Sequence, residues 1–251
     1  MRVRWLLVVA LSSVVIFPRG ARVGEPLRAN AGQGRTAEHT EESRYPFRIA
    51  KAYGLDGWDT VEELHYTFNI AAGERKVRRS WIWRPKDRRV TFRDEIAGGE
   101  PFTYSLDALS DHPSEELKAV DHRFVNDQYW LLFALHLAWD RDATRTVTPN
   151  APLPIDGGSA TKITVQYPPT GGYTPGDAYD LYVGTDDHVV QWVYRQGGRK
   201  EPSMVTTWGK YRHLGPLLIS TEFQSDDGKF KVWFSDLSIK VTGSDTYLLP
   251  E

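Results

Sequence analysis

The sequence predicts a mainly β (α+β) protein built as one large curved antiparallel sheet with one or two helices packed in or over it. Three observations lead there. From residue 160 onward, strand-like segments follow one another with short connectors rich in Gly, Asp and Thr. Between 113 and 140 the pattern changes, first to a capped helical start and then to the longest apolar run after the N-terminal segment. Several strands also carry bulky apolar residues on both faces, so the sheet needs cover on both sides.

Arg2 and Arg4 precede Trp5–Phe17, a thirteen-residue apolar stretch ended by Pro18. A bilayer span needs about 20 such residues, so this segment reads as a secretory signal over 1–24, with cleavage expected between 20 and 31. Residues 25–44 hold a single large apolar side chain, Leu27, and read as a flexible leader. The domain is expected over 45–243, with a tail at 244–251. Its opening segment, 45–58, spaces Ile49, Ala52 and Tyr53 for one helical face and stops at Gly54.

Next, VEELHYTFNI (61–70) alternates Leu64, Tyr66, Phe68 and Ile70 against His65, Thr67 and Asn69, which is the period of a half-buried strand. RSWIWRPKDRRVTFR (79–93) reads as two strands joined at Pro85-Lys86-Asp87, and PFTYSL (101–106) as another. Ser114 is placed to cap a helix containing Leu117 and Val120; VNDQYWLLFALHLAWD (125–140) fits either a helix or a buried strand. KITVQY, AYDLYV, HVVQWVYR, MVTTWGKY, LLISTEF and KFKVWFSDLSIKV then follow as a meander.

Composition narrows the chemistry. Lys plus Arg number 31 against 33 Asp plus Glu, which excludes a chain-wide basic footprint for nucleic acid. Removing residues 1–24 takes away four arginines and no acid, leaving the mature chain mildly acidic. The chain has no cysteine, which removes disulfides, thiolate metal sites, a Cys nucleophile and a lipid-modified N-terminal Cys. An exported chain of this kind is expected to be soluble in a periplasmic or extracellular compartment. No catalytic motif, metal-ligand spacing or cofactor fingerprint is present. Asp140-x-Asp142 lacks the glycine and distal Glu of a Ca²⁺ loop. Pairs such as Asp177 with Asp180, or Asp121 with Asp127, are the candidates for an alternative reading as an exported polysaccharide hydrolase with an aromatic-lined groove.

Two features point toward binding. Between Arg75 and Arg93 a basic cluster interleaves with Trp81 and Trp83, which suits contact with anionic lipid headgroups or polyanionic glycans, or a solvated face balanced by acids elsewhere. The chain also carries nine Trp, twelve Tyr and ten Phe. Core filling accounts for most of them, and a remainder on alternating strands is available to line an apolar cleft.

Several segments together resemble one family. IAKAYGLDGWDTVEELHYTFNI (49–70) is similar to the helix-then-first-strand start of periplasmic proteins related to the Lol-type lipoprotein carriers. RSWIWRPKDRRVTF (79–92) resembles their next hairpin. VNDQYWLLFALHLAWD and QYPPTGGYTPGDAYDLYV (166–183) resemble segments of a bacterial subgroup of that half-open β-barrel superfamily. AYDLYVGTDDHVVQWVYR and KFKVWFSDLSI match its closing strands in order and spacing.

The resemblance spans about 45–241 and implies an incomplete barrel whose helices plug the mouth and whose concave face carries an acyl chain or other apolar ligand. The expected function is an exported, soluble, non-enzymatic carrier or binding protein. Its expected lining residues are Phe68, Trp81, Trp83, Trp130, Phe133, Leu181, Trp192 and Trp208, with Arg78, Arg84 and Arg88 as an anionic-headgroup rim. The expected partners are a lipid or other apolar ligand, envelope proteins or an anionic membrane surface, with no nucleic acid, no metal and no cofactor. A third reading is a structural envelope protein in which the aromatic space is only core.

Overall fold

A computed structural model describes residues 41–110 and 112–251, with side chains from Arg44. The segment expected to be a secretory signal, 1–24, and most of the expected leader, 25–44, lie outside the described residues. Helix α1 (Glu41–Ala52) leads through a 3-10 turn into strands β1 (Val61–Ala72), β2 (Arg75–Arg84), β3 (Arg89–Asp94) and β4 (Phe102–Ser105). Helix α2 (Glu115–Trp139) follows. Then come β5 (Thr144–Pro152), β6 (Ser159–Gln166), β7 (Ala178–Val183), β8 (Val189–Arg195), β9 (Met204–Leu214), β10 (Leu217–Gln224) and β11 (Phe230–Val241).

All eleven described strands form one sheet, ordered β4-β3-β2-β1-β11-β10-β9-β8-β7-β6-β5. Short connections dictate most of this, because a tight turn can only return the chain antiparallel to its neighbour. The two meanders, β1–β4 and β5–β11, are joined where the first strand pairs with the last, from Val61↔Val241 to Ala72↔Phe230. Strands β4 and β5 do not pair with each other, so the sheet is an open half-barrel. The one long connection, from β4 to β5, contains α2. That helix touches β2 on one wing and β7, β8 and β10 on the other, so the sheet curves around it.

The ambiguous run at 125–140 is helix. Ser114 accepts a hydrogen bond from Leu117 N at 3.1 Å, capping α2, and Glu115 and Glu116 sit in the first turn where the helix dipole favours acids. Seven consecutive residues, Leu131 to Leu137, are buried, so the helix is enclosed on every side there. This removes the amphipathic period that would have separated helix from strand in the sequence. The backbone departs from helical geometry at Leu132 (φ −122°, ψ 18°), which kinks α2.

Three local features differ from the sequence reading. Helix α1 begins at Glu41, inside the segment expected to be leader, and accommodates Pro46. Residues expected to be a loose tail are tied to the sheet, with Leu248 bridging Ile239 and Glu251 N donating to His213 O. Strand β5 had no expectation at all. Its TRTVTPNAP sequence is polar, contains Pro149 and bulges between Thr148 and Ala151, a combination that suits an edge strand.

Gly54 fixes how α1 docks. It lies at φ +96°, and a Cβ there would sit 2.2 Å from Pro216 O, in the β9–β10 turn. The convex face is covered by the chain itself beside β7 and β8. Tyr182, Val193 and Ala151 form a small second core under Leu153. Gln191 clamps the covering segment, accepting from Ile155 N at 2.9 Å and donating to Ile155 O at 2.7 Å.

Candidate functional site: the inner wall under helix α2

The period of two sorts the strand residues into faces. On β1 and β2 the cross-strand pairs Leu64↔Trp83, Tyr66↔Trp81 and Phe68↔Arg79 point toward α2. Phe68 pairs with Phe234, and further along Phe223 pairs with Trp208 and Leu181 with Trp192. These positions make a continuous inner wall. All eight residues expected to line a cleft belong to it or to α2: Phe68, Trp81, Trp83, Leu181, Trp192 and Trp208 from the sheet, and Trp130 and Phe133 from the helix.

The wall and the helix are in ring contact. Trp81 lies 5.5 Å from Phe124 and Trp83 5.4 Å from the same ring. Trp130 lies 4.7 Å from Trp192 and 5.3 Å from Phe223, and Phe133 lies 4.9 Å from Tyr179. Phe68, Trp81, Phe133, Leu181, Trp192 and Trp208 are buried, whereas Trp83 and Trp130 are half-buried. The inner face is therefore packed by α2.

A groove of about 340 Å³ opens between the β3–β4 hairpin and the first half of α2. Phe92, Phe102 and Val120 form its apolar part, and Arg93, Arg123 and Glu100 stand around it. Phe92 lies 4.7 Å from Trp81, so the floor of this groove backs directly onto the inner wall. A second depression, of about 310 Å³, includes His65, Thr67, Arg78 and Asp236 and lies on the convex side.

Polar contacts hold α2 in place. Asp127, fully buried, accepts from Arg79 Nε at 2.8 Å, from Arg79 Nη2 at 2.5 Å and from Trp81 Nε1 at 2.9 Å. Burial pushes this carboxyl up, and the guanidinium beside it works in the opposite direction. Asp121 accepts from Tyr104 at 2.9 Å and Tyr173 at 2.6 Å, and burial raises it. At the helix end, Asp140 gathers His136 Nδ1 (3.0 Å), Tyr129 (2.9 Å) and Tyr167 (2.5 Å). Burial opposes ionisation there, but His136 and the two phenols outweigh it and bring Asp140 down to about 2. These contacts occupy the first carboxylate of the Asp140-x-Asp142 segment.

The rim arginines lie elsewhere. Arg78 and Arg84 occupy the alternate positions of β2, on the convex face, and Arg88 sits at the β2–β3 turn with φ 52°. Arg78 pairs with Asp236 at 3.4 Å, Arg84 with Glu63, and Arg88 with Asp107 at 2.7 Å. Arg79, from the same basic run, is the cation that enters the interior. Its parity with Trp81 and Trp83 was the available signal, since period two puts all three on one face.

The carboxylate pairs do not converge. Asp177 is engaged by Tyr194 at 3.0 Å and Gly197 N at 2.7 Å, on the side of the inner wall. Asp180, three residues on, points to the opposite face and is held by Thr164 at 2.6 Å and by Arg195. Asp121 and Asp127 belong to the two separate networks described above.

The class defined by this geometry is an open antiparallel half-barrel whose aromatic inner wall is closed by one long helix. A scan against family models finds no match for the chain, and neither does a comparison with curated proteins. Among solved structures, it is similar to a DUF1329 family protein from Desulfovibrio piger, at 12% identity and a TM-score of 0.42, covering 82% of this chain and 96% of that one. It is also similar to a LolA superfamily protein from Nitrosomonas europaea, at 8% identity and a TM-score of 0.40, covering 79% and 94% respectively.

Proposed function

We propose that this protein is an exported, soluble, non-enzymatic carrier or binding protein that holds a lipid or other amphiphile between the inner wall of its half-barrel and helix α2. The observation that carries the reading is the shared face. Six side chains from strands in both wings form one apolar surface, and a single element, α2, covers it with Trp130 and Phe133. Such a site needs apolar area and few polar anchors.

On this reading α2 is the lid, and the groove beside Phe92 and Phe102 is the way in. A ligand takes the place of helix contacts when it enters, so the wall is dry in both states. Arg78 and Arg84 on the convex face, with Arg88 at its edge, would meet an anionic membrane surface or an envelope partner during loading by exchanging their present acidic partners for it. No step of this reading requires bond making or breaking.

The test is to purify the protein from its native envelope and record its mass under non-denaturing conditions, then titrate it with N-phenyl-1-naphthylamine. A co-purifying lipid and saturable dye binding are expected. Bare polypeptide together with no dye binding would falsify the carrier reading and leave a structural role for the same packed core.

A further inference from the structure

The inner wall contains polar atoms that the folded chain does not satisfy. Trp192 Nε1, Thr206 Oγ1 and Trp208 Nε1 are buried without a hydrogen-bond partner. Their residues are 6%, 0% and 5% exposed. They are neighbours: Trp192 and Thr206 are register partners across β8 and β9, and Trp208 follows two residues along β9 on the same face. Two are obligate donors and the third is a hydroxyl free to donate. Buried donors are normally paired, so three adjacent exceptions require an account.

We propose that Trp192, Thr206 and Trp208 form the polar anchor of the inner-wall site and donate hydrogen bonds to a neutral carbonyl oxygen, that of an acyl ester or amide. This rests on the carrier reading and adds the chemistry of what is carried. The donor set selects an acceptor. The neighbourhood selects a neutral one, because the register neighbours of the two indoles on this face, Leu181 opposite Trp192 and Phe223 opposite Trp208, are uncharged, as is Tyr194 two residues along β8. Arg79, the half-buried cation of the wall, is already bound on two nitrogens by Asp127. A carboxylate placed here would lose its hydration with no counter-charge, whereas an ester carbonyl exchanges water for the waiting donors. Trp130, in contact with Trp192 and Phe223, is the helix residue the ligand displaces.

The test uses three probes of equal chain length, methyl dodecanoate, sodium dodecanoate and dodecane, each displacing N-phenyl-1-naphthylamine from the full chain. Methyl dodecanoate is expected to bind at least about tenfold more tightly than dodecane, at about fivefold per hydrogen bond. Trp192→Phe, Thr206→Val and Trp208→Phe keep the apolar shape, and each should weaken the ester about fivefold while leaving dodecane unchanged. The indole N–H resonances of Trp192 and Trp208 should shift with the ester and not with dodecane.

Equal binding of ester and alkane by the unaltered protein overturns the anchor and leaves the carrier intact. Tighter binding of dodecanoate than of its ester overturns the neutral-acceptor assignment. Failure of every probe to displace the dye also overturns it. If the dye does not bind and the protein purifies as bare polypeptide, the carrier reading falls with it.

Discussion

Arg79 of β2 grips Asp127 of α2 through two nitrogens, at 2.8 and 2.5 Å, in a pair whose carboxylate is wholly removed from solvent. Trp81 adds a third donor to the same carboxylate at 2.9 Å. The pair fixes where the helix crosses one wing of the sheet, beside the Trp81–Phe124 contact. A buried pair of this kind specifies register more than it adds stability, because desolvation consumes most of the attraction.

Removing one partner exposes that balance. Asp127→Ala leaves a half-buried guanidinium and a buried indole N–H unpaired, and should destabilise the fold by about 3 kcal/mol. The double replacement Arg79→Met with Asp127→Leu should recover most of that loss. Urea unfolding of the two variants, compared at the same pH, measures the difference.

Acid stability should report on Asp140. Its folded pKa, about 2, lies below the value of 3.8 for a free Asp, so its contribution is present above pH 4 and is lost as pH falls toward 2. The linkage corresponds to about 2 kcal/mol. Asp140→Asn should therefore flatten the acid limb of stability between about pH 4 and pH 2. Unfolding free energies across that interval check it, and an unchanged slope in the variant would contradict the assignment.

Gly54 offers a backbone test. A side chain there must enter the Pro216 carbonyl at 2.2 Å while holding φ at +96°. Gly54→Ala should cost about 2–3 kcal/mol and loosen α1 from the β9–β10 turn. Hydrogen exchange at Leu218 N, which donates to Tyr53 O, should accelerate in the variant.

Trp130 is half-buried and sits on the lid rather than on the wall. Trp130→Ala vacates an indole-sized space beside Trp192 and Phe223, and apolar space of that kind takes up small apolar ligands. Binding of N-phenyl-1-naphthylamine should tighten by about threefold or more, at a modest loss of stability. Weaker dye binding in the variant would place the ligand somewhere other than under α2.

Much of the inner wall was legible as alternation. Leu64, Tyr66 and Phe68 on one strand, and Trp81 and Trp83 on the next, repeat every second residue, and the pleat turns that repeat into a face. Asp177 precedes β7, so its separation from Asp180 could not be read this way, and only its contacts with Tyr194 and Gly197 N show which side it takes. Strand β5 was hidden because edge strands lack the apolar alternation that marks a buried one. The buried run of α2 was ambiguous because enclosure on every side erases its period.

The amino-acid order carries the local features: the turns, the cap at Ser114, the faces of the strands, and the residues each face carries. The tertiary structure decided how those faces meet. It joined the first strand to the last across about 170 residues, pairing Phe68 with Phe234 and making one wall from two meanders. It drew Arg79 from a run of surface cations into a pair with Asp127, and it left Trp192, Thr206 and Trp208 side by side with unspent hydrogen bonds. Periodicity records which side of a strand a residue occupies. Only long-range pairing and the path of the helix determine what stands opposite it.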